Sequence, residues 1–433
     1  MDDIQKAEKL KKVFETEKLL NGIRDSDVLL ERILTEARAI ANADAGSIYV
    51  IEDKQRTPNS ISITDKSVPP AFHDKILRIK YAQNDTQLKK AAFSHKSPYV
   101  YFTIPIAKTS ISGYVACTGE IVNIPDAYNI PEESPFKFNN STDISTGYVT
   151  TSVLTIPLIT NTSQILGVLQ IINAKDENGN VVSFSDDSID FIRQFAASAT
   201  QTLEHTYLIN NMIRRMQRMA EFRDPKETGT HVERVSDFSI EIYDQWAENK
   251  SIPKSERLKF RDTLKIAAKC HDLGKVGISD TILKAPRLFT VSERSIMQGH
   301  TCIGAKLFTP PESDLDEMSR DVALHHHEWW DGNDRGYPGA IDFEKYQIGE
   351  PMTVSRPLKG EEIPLAARIV AIADVFDALC HRRVYKEAWS IDDAFVEIQN
   401  LSGKQFDPEL VLAFVQVRNR IISINTAYEK MEM

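Results

Sequence analysis

Several groups of side chains in this sequence have the types and spacing to do chemistry. The first is His271-Asp272 with Lys275 just beyond. A carboxylate has two oxygens and can bridge two metal ions while a neighbouring imidazole caps one of them. An isolated His-Asp pair is commonplace, but this one has company. Seven of the ten histidines lie between His231 and His381, several beside acids. Glu227 and His231 are four apart and share a face if that stretch is helical. His300 sits in a helical pattern where a structural histidine would serve equally well. In His325-His326-His327-Glu328, successive residues on a helix diverge by about 100°, so two of the three can serve one ion pair. Asp374 is flanked by Ile369, Val370, Ile372, Ala373, Val375 and Phe376, so once buried it needs a salt bridge or a metal. Oxygen and imidazole donors suit Fe or Mn, and the lack of clustered thiols disfavours structural zinc. Two close cations acidify water for in-line attack on phosphorus and neutralise the phosphoryl oxygens. Lys275, one turn past Asp272, can reach a phosphate oxygen as a point charge.

The elements that must position these groups follow from periodicity. Residues 3–20 are rich in Lys, Glu, Leu and Ala and read as an exposed helix. Residues 25–43 repeat apolar side chains at Val28, Leu29, Ile33, Leu34, Ala37 and Ile40, giving a helix with one buried face. Strands are predicted at 47–51, 99–106, 120–124, 152–159 and 165–174, with Asn161-Thr162-Ser163 as a hairpin turn. From 187 to 222 there is no Pro or Gly. Ile189, Ile192, Ala196, Ala199, Leu203, Thr206, Ile213, Met216 and Ala220 keep a heptad-like seam. That seam pairs with its twin in a dimer or packs on its own domain; Arg214, Arg215 and Arg218 form a solvated face. The rest is helical in pattern except for 332–364. The architecture is therefore α+β and multidomain: a helix at 1–20, an α/β sensor domain at 21–186, a linker helix at 187–222 and an all-α domain at 223–425.

Composition excludes several classes. The chain has 433 residues, a formal net charge of −10 and 26% charged residues. That argues against a nucleic-acid or anionic-membrane binder. The four cysteines are scattered, as in a reducing cytoplasm. The first residues lack a secretory pattern, and no apolar run approaches the roughly 18–20 residues of a membrane span. A cytoplasmic protein is expected.

The N-terminal half resembles a GAF domain over roughly residues 20–205. The resemblance rests on Asp44-Ala45-Gly46-Ser47-Ile48-Tyr49-Val50, on residues 112–120, on Asn123-Ile124-Pro125-Asp126-Ala127-Tyr128, on 152–158 and on Gly167-Val168-Leu169-Gln170-Ile171-Ile172-Asn173. Asp143 with Gly147-Tyr148 is similar to GAF domains of cyclic-nucleotide phosphodiesterases. The resemblance implies a sensor that binds a small molecule, a cyclic nucleotide among the candidates, or a ligand-free dimerisation domain.

The C-terminal half resembles an HD-GYP domain, a subgroup of the HD superfamily of metal phosphohydrolases. The residues are His271-Asp272 with Gly274-Lys275, His326-His327-Glu328, Asp331-Gly332 and Gly336-Tyr337-Pro338. Supporting matches are Thr228-Gly229 with His231, Arg234-Val235, His300 with Gly304, Asp374, Asp377-Ala378-Leu379, Arg383, Tyr385 and Phe406-Asp407-Pro408. The resemblance implies hydrolysis of cyclic di-GMP to pGpG, and in some members on to GMP, by metal-activated hydroxide. It implies His271, Asp272, His300, His326, His327 and Asp374 as ligands, with Asp272 bridging. Glu227 and His231 match the extra ligands of members with a third metal, so two to three Fe or Mn ions and a trinuclear site are expected. His325 is left out of the ligand set. Asp272 and Lys275 carry the catalytic roles, and Lys275, Tyr337, Arg383 and Lys386 the substrate contacts.

The chain departs from the family pattern in two places. Asn333-Asp334-Arg335 stand where one residue is usual, and a larger insertion covers roughly 340–358. Val384 also replaces the usual Pro. Pocket shape, and so preference for cyclic di-GMP over cyclic GMP-AMP, is what these changes affect. The non-enzymatic rival is a signalling scaffold that contacts a diguanylate cyclase through the Gly-Tyr-Pro loop. A homodimer is expected.

Overall fold

The computed structural model describes residues 3–23, 25–54, 68–86, 103–223, 229–353, 356–381 and 388–432. The chain divides into two compact units, Met1–Leu208 and Ile209–Met433.

The first unit is built on an antiparallel sheet. Its strands are β1 (Ala43–Asp53), β2 (Lys75–Asn84), β3 (Thr103–Pro105), β4 (Val122–Ile124), β5 (Val153–Ile159), β6 (Ile165–Lys175) and β7 (Val181–Val182). Among the described residues the order is β3-β2-β1-β6-β5-β4, with β7 beside β6. Alternation along β1 sends Ile48 and Val50 to one core and Tyr49 to the other, as the two-residue period of a strand requires. On the first face lie α1 (Asp3–Leu20), α2 (Ser26–Ala41) and the start of α5 (Asp186–Arg223), through Val13, Leu29, Ile33, Ile192 and Phe195. The opposite face is closed by α3 (Ile111–Thr118) through Ile111 and Val115. A Cβ on Gly167 would lie 2.1 Å from the Tyr49 carbonyl oxygen, so only glycine lets β6 come this close to β1.

Two readings of this half need correction, and one left open is decided in part. β2 lies in a stretch without a predicted strand. The first helix is not simply exposed, because Val13 and Leu20 are fully buried. The linker seam is spent within its own domain as far as Thr206: Ile192, Ala196, Ala199 and Leu203 sit in the first unit's core. Further along α5, Met212, Met219 and Phe222 are exposed. The expected strand at 99–106 falls partly outside the described residues.

The Asp143…Gly147-Tyr148 stretch is occupied internally. Asp143, on α4 (Ser141–Thr146), accepts from Thr150 N at 2.7 Å, Thr150 Oγ1 at 2.9 Å and Tyr128 OH at 2.9 Å. The Tyr148 hydroxyl donates to Asp44 at 2.9 Å and accepts from Asn173 at 2.9 Å. Asp44 also pairs with Lys175 and takes the Thr86 hydroxyl at 2.8 Å. These carboxylates tie the end of the sheet together.

The second unit is all-α. The elements that carry or support the site are α6 (Gly229–Asn249), α7 (Lys254–Ala267), α8 (Asp280–Leu283), α9 (Val291–Gln298), α10 (His300–Lys306), α11 (Asp314–His325) and α12 (Leu365–Cys380). Helices α13 (Ile391–Asn400), α14 (Pro408–Gln416) and α15 (Arg418–Glu432) complete the bundle. Phe376 of α12 packs edge-on against Phe238, Phe395 and Phe414 at 5.5, 5.0 and 5.1 Å. All four rings are buried, and each contributes on the order of 1.5–3 kcal/mol. They fix the helix that bears Asp374 and Asp377.

Candidate metal centre

The segment around His271 is a pair of short helical turns, Ala268–Cys270 and Leu273–Gly277. Gly274 explains how this turn meets α10. A Cβ there would fall 1.9 Å from the His300 carbonyl oxygen and 2.4 Å from Gly304 N. Backbone therefore packs on backbone, and Asp272 comes to His300: Oδ1 is 3.3 Å from His300 Nε2. The other oxygen, Oδ2, is 3.2 Å from His271 Nε2.

Two groups of donors result. Asp272, His300, His326 and His327 form one, and His231, His271 and Asp374 the other, with ligand atoms in each group within 4.8 Å of one another. The reach of adjacent His326 and His327 into one group has a local cause. Helix α11 stops at His325 and His326 is its cap, so His327 has left the helix. Their rings lie 4.0 Å apart at 42°, which a continuous helix would not allow. His325 belongs to neither group; its Nδ1 faces Glu328 Oε1 at 3.4 Å.

The residues fit divalent cations. His271, His300 and His326 each direct Nδ1 at a backbone carbonyl, of Ala268 at 2.8 Å, Met297 at 2.8 Å and Val322 at 2.9 Å. His231 Nδ1 faces Asp377 Oδ2 at 2.7 Å. These bonds fix the tautomer with the proton on Nδ1, so each Nε2 lone pair points inward. The Nε2 atoms of all four, and Asp272 Oδ1, are buried without a hydrogen-bond partner. Burying that many polar atoms unsatisfied is costly unless a cation receives them. Burial works against charge on His271, but the Asp272 carboxylate beside it prevails and raises its pKa to about 9, so a cation bound there would displace the Nε2 proton to use that lone pair. Burial would also raise Asp272, yet the surrounding imidazoles hold it well below the usual carboxylate range. Burial keeps His326 and, more strongly, His327 neutral, the form that ligates.

Supporting contacts surround the donors. Asp377 also accepts from Arg234 Nε at 2.6 Å. Lys275 Nζ lies 2.8 Å from Asp272 Oδ2 and pairs with that carboxylate. Tyr337 sets its ring 4.7 Å from that of His327. Its loop folds back through Gly339 N, which donates to Glu328 Oε1 at 2.6 Å. Glu328 Oε2 and Arg368 Nε are buried without a partner and line one enclosed cavity of about 10 Å³ with Trp330, Gln405 and Asp407. The larger insertion lies on the α9–α10 region: Tyr346 and Met352 are buried there, and Ser295 Oγ bonds the Met352 carbonyl at 2.7 Å. Two thiols on these segments are buried, and burial pushes Cys270 up to about 12 and Cys302 up to about 11.

Glu227, Arg383 and Lys386 lie outside the described residues. Sequence reasoning gave Asp377 and Glu328 no role. A signal for Asp377 existed: it lies three residues after Asp374 in the same apolar helix, on the same face.

The half of the chain that carries these residues is similar to known proteins. A family profile described as HD domain matches residues 228–379, and one described as GAF domain matches 25–203. A cyclic di-GMP phosphodiesterase of Thermotoga maritima is 37% identical over 206 residues, 48% of this chain and 48% of that protein. One of Vibrio cholerae is 32% identical over 266 residues, 60% of this chain and 49% of its own length. A 3'3'-cGAMP-specific phosphodiesterase of Vibrio cholerae is 33% identical over 202 residues, 47% of this chain and 34% of its own. The chain thus spans half or less of the length of these relatives.

Proposed function

We propose that this chain, which carries a GAF domain at 25–203 and an HD domain at 228–379, is a metal-dependent phosphodiesterase that hydrolyses cyclic di-GMP to pGpG. The observation that carries the reading is the pair of donor groups with inward-facing Nε2 atoms, Asp272 of the first lying with its second oxygen 3.2 Å from His271 of the other. When bound there, two cations supply an activated water and electrostatic stabilisation of the phosphoryl group. Asp272 and Asp374 offset their charge. His271, His300, His326 and His231 orient through the bonds described, and His327 through its ring contact with Tyr337. Lys275 exchanges its contact with Asp272 for a phosphate oxygen as substrate enters. Tyr337, against His327, shapes the wall facing the substrate, and Arg383 and Lys386 contact the dinucleotide.

Fe or Mn suits these donors, and a third ion would need Glu227 beside His231. Elemental analysis of anaerobically purified protein, with turnover on the same sample, tests both points. Two to three Fe or Mn per chain with pGpG released is the expected result; metal-free, inactive protein with both ions supplied sinks the proposal. The cyclic GMP-AMP reading is favoured by the third relative and is decided by parallel turnover of that dinucleotide.

Regulation by the GAF domain, a homodimer, a cytoplasmic location and contact with a cyclase belong to the same proposal. Exposed Met212, Met219 and Phe222 on α5 support the dimer, which light scattering reads. For a GAF ligand the supporting feature is an open groove of about 540 Å³ beside Tyr128, Phe136, Lys137 and Phe138. Thermal shift with cyclic mononucleotides tests it. No helix among the described residues is long and apolar enough to cross a membrane.

A further inference from the structure

The end of α5, inside the second unit, touches the metal-bearing turn at two points. Gln217, 7% exposed, donates Nε2 to the Lys269 carbonyl at 3.2 Å, two residues before His271. Arg223, the last residue of the helix, donates to the carbonyl of Val276, to that of Ile278 at 2.8 Å and to Asp280 Oδ1 at 2.9 Å. Six residues of helix rise about 9 Å, so these two side chains reach both ends of one short segment. Between those ends lie His271, Asp272 and Lys275.

The segment is two short turns held largely by its neighbours: Cys270 and Leu273 are buried, and Lys269 Nζ lies 2.5 Å from Glu233 Oε2 on α6. Its turns are short, closed by bonds such as Lys275 N to Asp272 O at 3.0 Å and Ile278 N to Lys275 O at 3.0 Å. Gly274 rests on α10 from one side, and the end of α5 braces the segment from another. Asp272 faces His300 of its own donor group through Oδ1 at 3.3 Å and His271 of the other group through Oδ2 at 3.2 Å. Small displacements of the segment therefore alter one ligand distance at the expense of the other.

We propose that Gln217 and Arg223 are positioning residues that hold His271-Asp272 where one carboxylate serves both ion positions. The end of the linker helix thereby sets how well the second ion is held. This rests on reading the centre as the catalytic metal site. It gives the linker a defined point of action on the chemistry, through backbone carbonyls on either side of the ligands.

The test is Mn²⁺ titration of the metal-free full chain, followed by electron paramagnetic resonance, well below the unfolding temperature. Arg223→Ala should weaken the second Mn²⁺ by about 10-fold or more and diminish the spin-coupled signal. Gln217→Ala, losing one neutral hydrogen bond, should weaken it about 3-fold. Arg223→Lys, which can still donate to a carbonyl, should fall between the parent and Arg223→Ala. Arg218→Ala, on an exposed position of the same helix, should bind as the parent does. With cyclic di-GMP, kcat should fall in Arg223→Ala while KM holds. Unchanged affinity and an unchanged coupled signal in Arg223→Ala overturn the proposal. Should that variant not fold, unchanged binding in Gln217→Ala overturns it instead. A parent that binds no second Mn²⁺ overturns it as well. A parent that binds two Mn²⁺ yet cleaves no cyclic dinucleotide removes the phosphodiesterase reading, while the titration still judges the brace.

Discussion

Asp377 Oδ2 lies 2.7 Å from His231 Nδ1, while its other oxygen takes Arg234 Nε at 2.6 Å. One buried carboxylate thus aims a ligand and answers a buried guanidinium. Asp377→Ala should cost about 3–5 kcal/mol by taking away a buried ion-pair partner. Asp377→Asn keeps the shape and should lower metal affinity by about 10–100-fold. Calorimetry and metal titration of the two variants separate these effects. Equal affinity in Asp377→Asn and the parent would show that His231 is oriented by something else.

Asp272→Asn removes the shared charge but little volume. Metal content should fall at both positions, and turnover by about a thousandfold, about 4 kcal/mol. Stripping the parent with a chelator should lower the melting temperature of the second unit, because a ligand at 100 times its Kd stabilises by about 2.7 kcal/mol. A melting curve indifferent to chelator and metal would contradict this.

Glu328 connects the His327 turn to the loop beyond Tyr337. Glu328→Ala leaves Gly339 N buried without its acceptor, at about 1–3 kcal/mol. Glu328→Gln can still accept from Gly339 and should cost less. Denaturant unfolding gives the order, with the parent most stable, Gln next and Ala last; Gln and Ala losing equal stability would place the effect elsewhere.

In the first unit, burial opposes charge on Asp44, but hydrogen bonds from Lys175, Thr86 and Tyr148 bring its pKa below the ordinary 3.8. A depressed acid stabilises the fold above its unfolded value and loses that contribution as pH falls through the folded one. Melting of the first unit should therefore drop below about pH 4 in the parent. Asp44→Asn should be weaker at neutral pH and less sensitive to acid. Parallel acid curves for the two proteins would exclude Asp44 as the source.

Much of the centre could be read from side-chain chemistry alone. His271 and Asp272 stand out as an adjacent imidazole and carboxylate in a histidine-rich half, and Asp374 because a charge among apolar neighbours needs a partner. What could not be read was the geometry that unites them. His326 and His327 share a group because α11 ends between His325 and His327, and a helix end of one residue's precision is not a periodic signal. Glu328 looks like any acid until its Oε1 meets Gly339. Strand β2 was legible too, since Leu77 and Ile79 alternate with Arg78 and Lys80 at the two-residue period of a strand; what the segment alone does not display is its partner, Glu52 on the neighbouring strand, which pairs with both cations. The linker seam was visible, but periodicity does not say whether a stripe meets its own domain or a twin.

The two buried thiols have a practical consequence. Cys270 precedes His271, and Cys302 follows His300 by two residues on α10. Neither side chain can meet an alkylating reagent while its segment is closed. Their labelling rates are therefore clocks, already present in the chain, for how often each wall of the centre breathes. A metal that holds both walls should slow both clocks together.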